Sequence, residues 1–139
     1  MRRPAGFVLL NRHRTVKEHE RGSTSVQMVL LMPALFAAMF LGMQGALFYH
    51  ARTVALAAAQ EGVRTAAGLD GTGAAGVQDA YAFVDAAGGD DVLTVARVSA
   101  SRSGTSATVT VSGRSLSVIP GWRPTITQSA SAPVERITQ

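Results

Sequence analysis

The rhythm of apolar positions changes along this chain, and each rhythm predicts a different element. From Val26 to Tyr49 the run VQMVLLMPALFAAMFLGMQGALFY carries no formal charge. It is long enough to cross a hydrocarbon core as one helix, which takes roughly 20 mostly apolar residues, whereas a secretory signal's apolar region takes about 7 to 15. Beyond Tyr49, Ala55, Leu56, Ala59, Val63 and Ala66 recur at helical spacing, with Thr53, Gln60, Glu61 and Arg64 opposite. No proline interrupts between the apolar run and Ala67, so the pattern predicts one helix from about Ser25 to Ala67. GLDGTGAAG at Gly68–Gly76 ends it, and VQDAYAFVDAA at 77–87 predicts a short helix with Val77, Ala80, Tyr81 and Val84 on one face. The rhythm then changes to alternation. Residues 92–100 and 106–113 predict a β-hairpin around SRSGT, and 116–119 and 125–128 are candidate third and fourth strands. Trp122, between those last two, is expected to be the lid of a small core.

Several positions inside the apolar run modify this picture. Pro33 cannot donate to the carbonyl of Val29, which predicts a kink or loosened turn there, tolerable in a membrane helix. Ala34, Ala38, Gly42 and Ala46 recur every fourth residue. They form either a helix-packing groove or the accidental row that an alanine-rich sequence produces. Gln27 and Gln44 are polar residues within the run, and Gln44 is expected to reach headgroup or water near the outer boundary.

Charge gives the predicted helix a direction. The formal net charge is +4, but Arg2, Arg3, Arg12, Arg14, Lys17 and Arg21 all precede the apolar run. Basic residues beside a spanning helix stay in the cytoplasm, so the N-terminus is expected inside and the C-terminal part outside. With only Phe7 interleaved among the arginines, this cluster points to a membrane and not to nucleic acid. Arg2-Arg3 is followed by Pro4-Ala5-Gly6 and lacks the context of a twin-arginine signal. The expected organisation is therefore an α+β membrane protein. A basic cytoplasmic leader occupies 1–22 and a long helix 23–67, transmembrane at about 26–49 and then amphipathic. A glycine-rich hinge at 68–76 leads to a small extracytoplasmic domain at 77–139, with a short helix and an antiparallel β-sheet.

Candidate chemistry is sparse. With no cysteine there is no disulfide framework and no thiolate metal site. His13 and His19 lack metal-ligand spacing, and His50 reads as an interface anchor. Gly71, Gly73 and Gly76 spell GxGxxG, but a dinucleotide fingerprint needs a preceding strand, and an alanine-rich helix precedes this one. Asp90 and Asp91 sit in a glycine-rich turn and read as solvated turn formers. No catalytic constellation emerges, and neither an enzyme nor a cofactor is expected.

Arg21-Gly22-Ser23-Thr24-Ser25-Val26-Gln27, followed by an apolar helix containing Pro33, resembles the processing site and N-terminal helix of type IV pilin-like proteins. RGSTSVQMVLLMPALF, then YHARTVALAAAQEGVRTAA, and the terminal SASAPVERI at 129–137 together resemble TadE-like proteins of tight-adherence (Flp) pilus assembly systems. That resemblance implies a pseudopilin, cut by a prepilin peptidase between Gly22 and Ser23 and used as a minor pilus or assembly component. The implied partners are the membrane, other pilin-like or TadE-like subunits, the peptidase and pilus assembly platform proteins. Gln27 departs from the pattern. After such a cut it is the fifth mature residue, where pilins typically carry glutamate, and glutamine cannot neutralise a neighbour's new N-terminal amine. Two other readings remain open: a membrane-tethered binding module that enters no filament, and a soluble product of a signal cut near Ala57–Ala59.

Overall fold

A computed structural model describes residues 18–136. Residues 1–17, which hold the Arg2-Arg3 pair and most of the basic leader, lie outside the described residues, as does Ile137 at the end of SASAPVERI. Helix α1 runs over Glu18–Ala67 and helix α2 over Gly73–Ala86. A 3-10 turn at Gly89–Asp91 leads into strands β1 (Leu93–Arg102), β2 (Ser106–Ser115) and β3 (Thr125–Pro133). The strands form one antiparallel sheet in the order β1-β2-β3. This is the α+β architecture that the apolar rhythm predicts. The chain divides into two compact units between Ala38 and Met39.

The first unit contains α1 as far as Ala38. Alanine, leucine, methionine and glutamine favour a helix here, and α1 continues through Pro33. Every residue from Ser25 to Ala38 is exposed.

The second unit contains the rest of α1, α2 and the sheet, packed around one core. Ala51, Ala55, Ala58, Ala59 and Ala66 of α1 are fully buried, together with Leu93, Ala107, Val109 and Val111 of the sheet, and Ala80 and Val84 of α2 complete the cluster. The predicted stripe needs one correction. Leu56 is 36% exposed, because the buried line runs through Ala51, Val54, Ala55, Ala58, Ala59 and Val63 and leaves Leu56 to one side. Alanines let the second layer approach α1 closely.

Helix α2 begins four residues before Val77. The Thr72 side chain accepts a hydrogen bond from the Ala75 N–H at 3.1 Å, an N-cap that starts the helix at Gly73. Ala80 and Val84 are buried as the spacing predicts. Tyr81, on the same predicted face, is half-exposed, and its hydroxyl accepts from the Val98 N–H at 3.1 Å.

The β1–β2 register pairs Ala100 with Val109 and Arg102 with Ala107, and the β2–β3 register pairs Val109 with Ala130. One sheet face therefore carries valine and alanine into the core. The other carries hydroxyls, with Thr108 bonded to Ser131 at 2.8 Å and Thr110 to Ser129 at 3.1 Å across the strands. Leu116–Ile119 is not a strand. Ser117 Oγ turns back on the local backbone, accepting from Ile119 N at 3.1 Å. That local bonding competes with a ladder. Trp122 is not the lid of the core either. It is 50% exposed in the β2–β3 loop, and the sheet closes on Leu93, Val109 and Val111 instead.

The last described residues tie the far end of the unit together. Glu135 N donates to Ala67 O at 2.9 Å and Val134 N to Thr105 O at 3.0 Å, while Arg102 donates to Gly68 O at 3.1 Å and Arg136 Nε to Gly104 O at 3.0 Å. The Ala67 carbonyl at the C-terminus of α1, which lacks a helical partner, is thereby satisfied from the segment after β3, and the Gly68 carbonyl accepts from Arg102 of β1.

Candidate membrane surface and its boundary at Gln44

The candidate site is an apolar surface of α1 that the fold leaves exposed among the described residues. From Ser25 to Met43 every residue is exposed, including Leu30, Leu35, Phe36, Phe40 and Met43. α1 holds the one helical segment among the described residues that is long and apolar enough to cross a membrane. A contiguous apolar surface of this size is not left to water in a stable soluble protein; it marks contact with lipid or with another protein. By number, residues 25–43 are close to the roughly 20 that a helix needs to cross a hydrocarbon core.

Of the predicted site residues, Gln27, Pro33, Ala34, Ala38 and Gly42 lie on this surface, Gly22 and Ser23 before it and Ala46 just past its end. Ala34, Ala38, Gly42 and Ala46 are exposed, and a Cβ added to Gly42 would meet nothing within 4 Å. Gln27 and Pro33 are exposed as well, and the backbone of Gly22 and Ser23 lies within α1.

The surface ends at Gln44. Its side chain is 2% exposed, and it does not reach headgroup or water as its place near the end of the apolar run suggested. Its Oε1 accepts from Ser117 Oγ at 2.9 Å and from Val118 N at 3.0 Å, and its Nε2 donates to Leu116 O at 3.3 Å. One amide thus satisfies the backbone of a loop more than seventy residues away in sequence. A buried amide left without such partners costs roughly 1–3 kcal/mol per unmade bond, so this site specifies where the loop docks. No sequence signal exposes the role, because the partner atoms are mostly backbone.

Beyond Gln44, α1 is covered on one face. It meets α2 closely where Gly62 faces Gly76: a Cβ on either would stand 2.5 Å from the other's carbonyl oxygen. Gly76 therefore belongs to a helix crossing, and residues 73–76 of the expected hinge lie in α2. Of the GxGxxG glycines, Gly76 serves this packing, and a helix and not a strand precedes the motif. Among the described residues, no group of three or more His, Asp or Glu could hold a metal ion.

Residues 22–64 match the family model for TadE-like protein. That segment is TadE-like. The matched segment takes in Gly22, Ser23, Gln27, Pro33, the small-residue row and Gln44, and it ends just before α1 does. No curated protein and no solved structure matches the chain. α2 and the sheet lie outside the matched residues.

Proposed function

We propose that this TadE-like chain is a minor pseudopilin or assembly component of a tight-adherence (Flp) type pilus, held by a single transmembrane helix with its N-terminus in the cytoplasm. The observation that carries the reading is the bare apolar surface of α1 from Ser25 to Met43 within a TadE-like segment. The role is structural. α1 offers lipid or a neighbouring helix a long apolar side with a row of small residues, and the folded domain begins where that side ends.

In this reading the basic residues before Val26 keep the N-terminus inside, and a prepilin peptidase cuts between Gly22 and Ser23. Both residues have helical backbone, so the cut requires the start of α1 to unwind into an extended strand in the peptidase. Gln27 would then be the fifth residue of the product. A neutral amide is cheaper than a carboxylate in hydrocarbon and cannot neutralise a neighbour's terminal amine. That favours a subunit resident in the membrane or at the pilus base.

Two measurements test the proposal. Mass spectrometry of the purified membrane protein should find an N-terminus at Ser23, and Met1 as the only N-terminus would refute the cut. Photo-crosslinking residues can be placed singly at Ala34, Ala38 and Gly42 and at exposed positions within 77–139, and crosslinked in cells. Crosslink ladders from 34, 38 and 42 to pilin-like helices are expected. Crosslinks confined to residues 77–139 would instead favour a membrane-tethered binding module that enters no filament.

A further inference from the structure

We propose that the β2–β3 loop, residues 116–124, is a second membrane-contacting element, which lays Trp122 and Leu116 in the interfacial layer of the bilayer that α1 crosses. The inference rests on the reading that α1 is in lipid, and it adds a lipid-facing site outside the TadE-like segment.

Three observations carry it. The loop reads LSVIPGWRP, far more apolar than a connection facing water requires. Leu116 is 36% and Trp122 50% exposed, so the core does not take up these side chains. The loop's position is also fixed. Leu116, Ser117 and Val118 are hydrogen-bonded to Gln44, directly beside Met39, Phe40, Leu41 and Met43, where the exposed apolar surface of α1 ends. If lipid covers that surface, the loop stands at the edge of the hydrocarbon. The interfacial layer is some 5–7 Å deep on each side, about four residues of helix, so it begins where the loop is docked.

Charge and shape agree with a lipid surface. The loop contains Arg123, exposed, and no carboxylate, which suits lipid phosphates. Tryptophan is the side chain most at home at headgroup depth, its ring apolar and its N–H polar. The loop is also rigid before any contact. Ser115 N donates to Pro124 O at 3.1 Å and closes its base. Ile119-Pro120-Gly121-Trp122 forms a tight turn in which Trp122 N donates to Ile119 O at 3.2 Å and Gly121 takes φ 79°, the left-handed conformation that glycine adopts without a Cβ clash. Little conformational entropy is lost when such a loop meets a bilayer.

Trp122 is the one tryptophan of the chain, so its fluorescence reports on the loop directly. The full chain is placed, one copy per disc, in nanodiscs of phosphatidylethanolamine and phosphatidylglycerol carrying a nitroxide either near the glycerol or near the chain end. Trp122 emission should be blue-shifted relative to the unfolded chain, lose most of its intensity to the shallow label and lose less to the deep one. A second protein, Trp122→Phe with Phe36→Trp, reports on α1 alone and should be quenched most by the deep label. If the second protein is quenched and Trp122 is untouched by either label but quenched by aqueous iodide, the loop proposal fails while the anchor stands. Emission that is shielded only at several copies per disc overturns it in favour of a neighbouring subunit. If the deep label fails to quench the Phe36→Trp protein, the anchor itself fails and the loop proposal with it.

Discussion

The two parts of α1 on either side of Gln44 are both apolar and are built for different surroundings. From Ser25 to Met43 the large side chains are Val, Leu, Met and Phe, and all are exposed; from Ala51 to Ala67 the inward line is mostly alanine, and it is buried. Lipid has no fixed shape to fit, so long side chains can project into it in any direction. A protein layer must fit, and small side chains let the sheet and α2 come close without strain. Side-chain size, more than hydrophobicity, separates the two regions. Gln44 marks the change because a buried amide is stable only where protein atoms meet it.

Substitutions that swap size between the regions should give the largest contrast. Ala58→Leu forces a leucine into a fully buried position and should destabilise the distal domain by about 3 kcal/mol, seen as a lowered melting temperature in detergent. Ala38→Leu adds the same atoms to an exposed position and should leave that melting temperature unchanged. Equal effects from the two would break the comparison.

Gly76→Ala comes next. Its Cβ would stand 2.5 Å from the Gly62 carbonyl oxygen, and because that neighbour is helix backbone the two helices must separate. A loss of about 2–3 kcal/mol is expected in the same melting experiment, against no effect for Gly42→Ala, where the space is open.

Gln44→Leu sharpens the boundary itself. It leaves the Val118 N–H and the Leu116 carbonyl without their partner, for a cost of about 2 kcal/mol. Amide exchange should quicken at Val118 while the protection of β2 is retained.

Much of this was legible in the chain. An uncharged run of spanning length, a following helical stripe and β-branched alternation are local patterns, and each produced its element. The TadE-like segment was legible through the RGSTSVQ junction and the helix behind it. What escaped reading depended on distance. Gln44 looked like any polar residue near a membrane boundary because its partners, Leu116, Ser117 and Val118, are far away in sequence and two of them offer backbone atoms. Gly76 read as part of a hinge because its reason for being glycine is Gly62 on another helix. Thr72 was a capping signal, hidden among glycines that suggested a loop. Leu116–Ile119 and Trp122 were assigned to a sheet and its core on apolarity alone, and apolarity does not distinguish a strand from a loop beside a bare apolar surface.

A nitroxide scan shows whether α1 passes from lipid to protein at Gln44. Single cysteines are introduced at each position from 26 to 60 of the otherwise cysteine-free chain and labelled in bilayers, and collisions with oxygen and with a water-soluble nickel complex are compared. Oxygen should dominate all round the helix through Met43. From Gln44 onward accessibility should fall to a helical period, low at Ala51, Ala55 and Ala58 and high in water at Arg52, Leu56 and Gln60. Uniform lipid access continuing through Tyr49 and beyond, or water access along 26–43, would contradict the account.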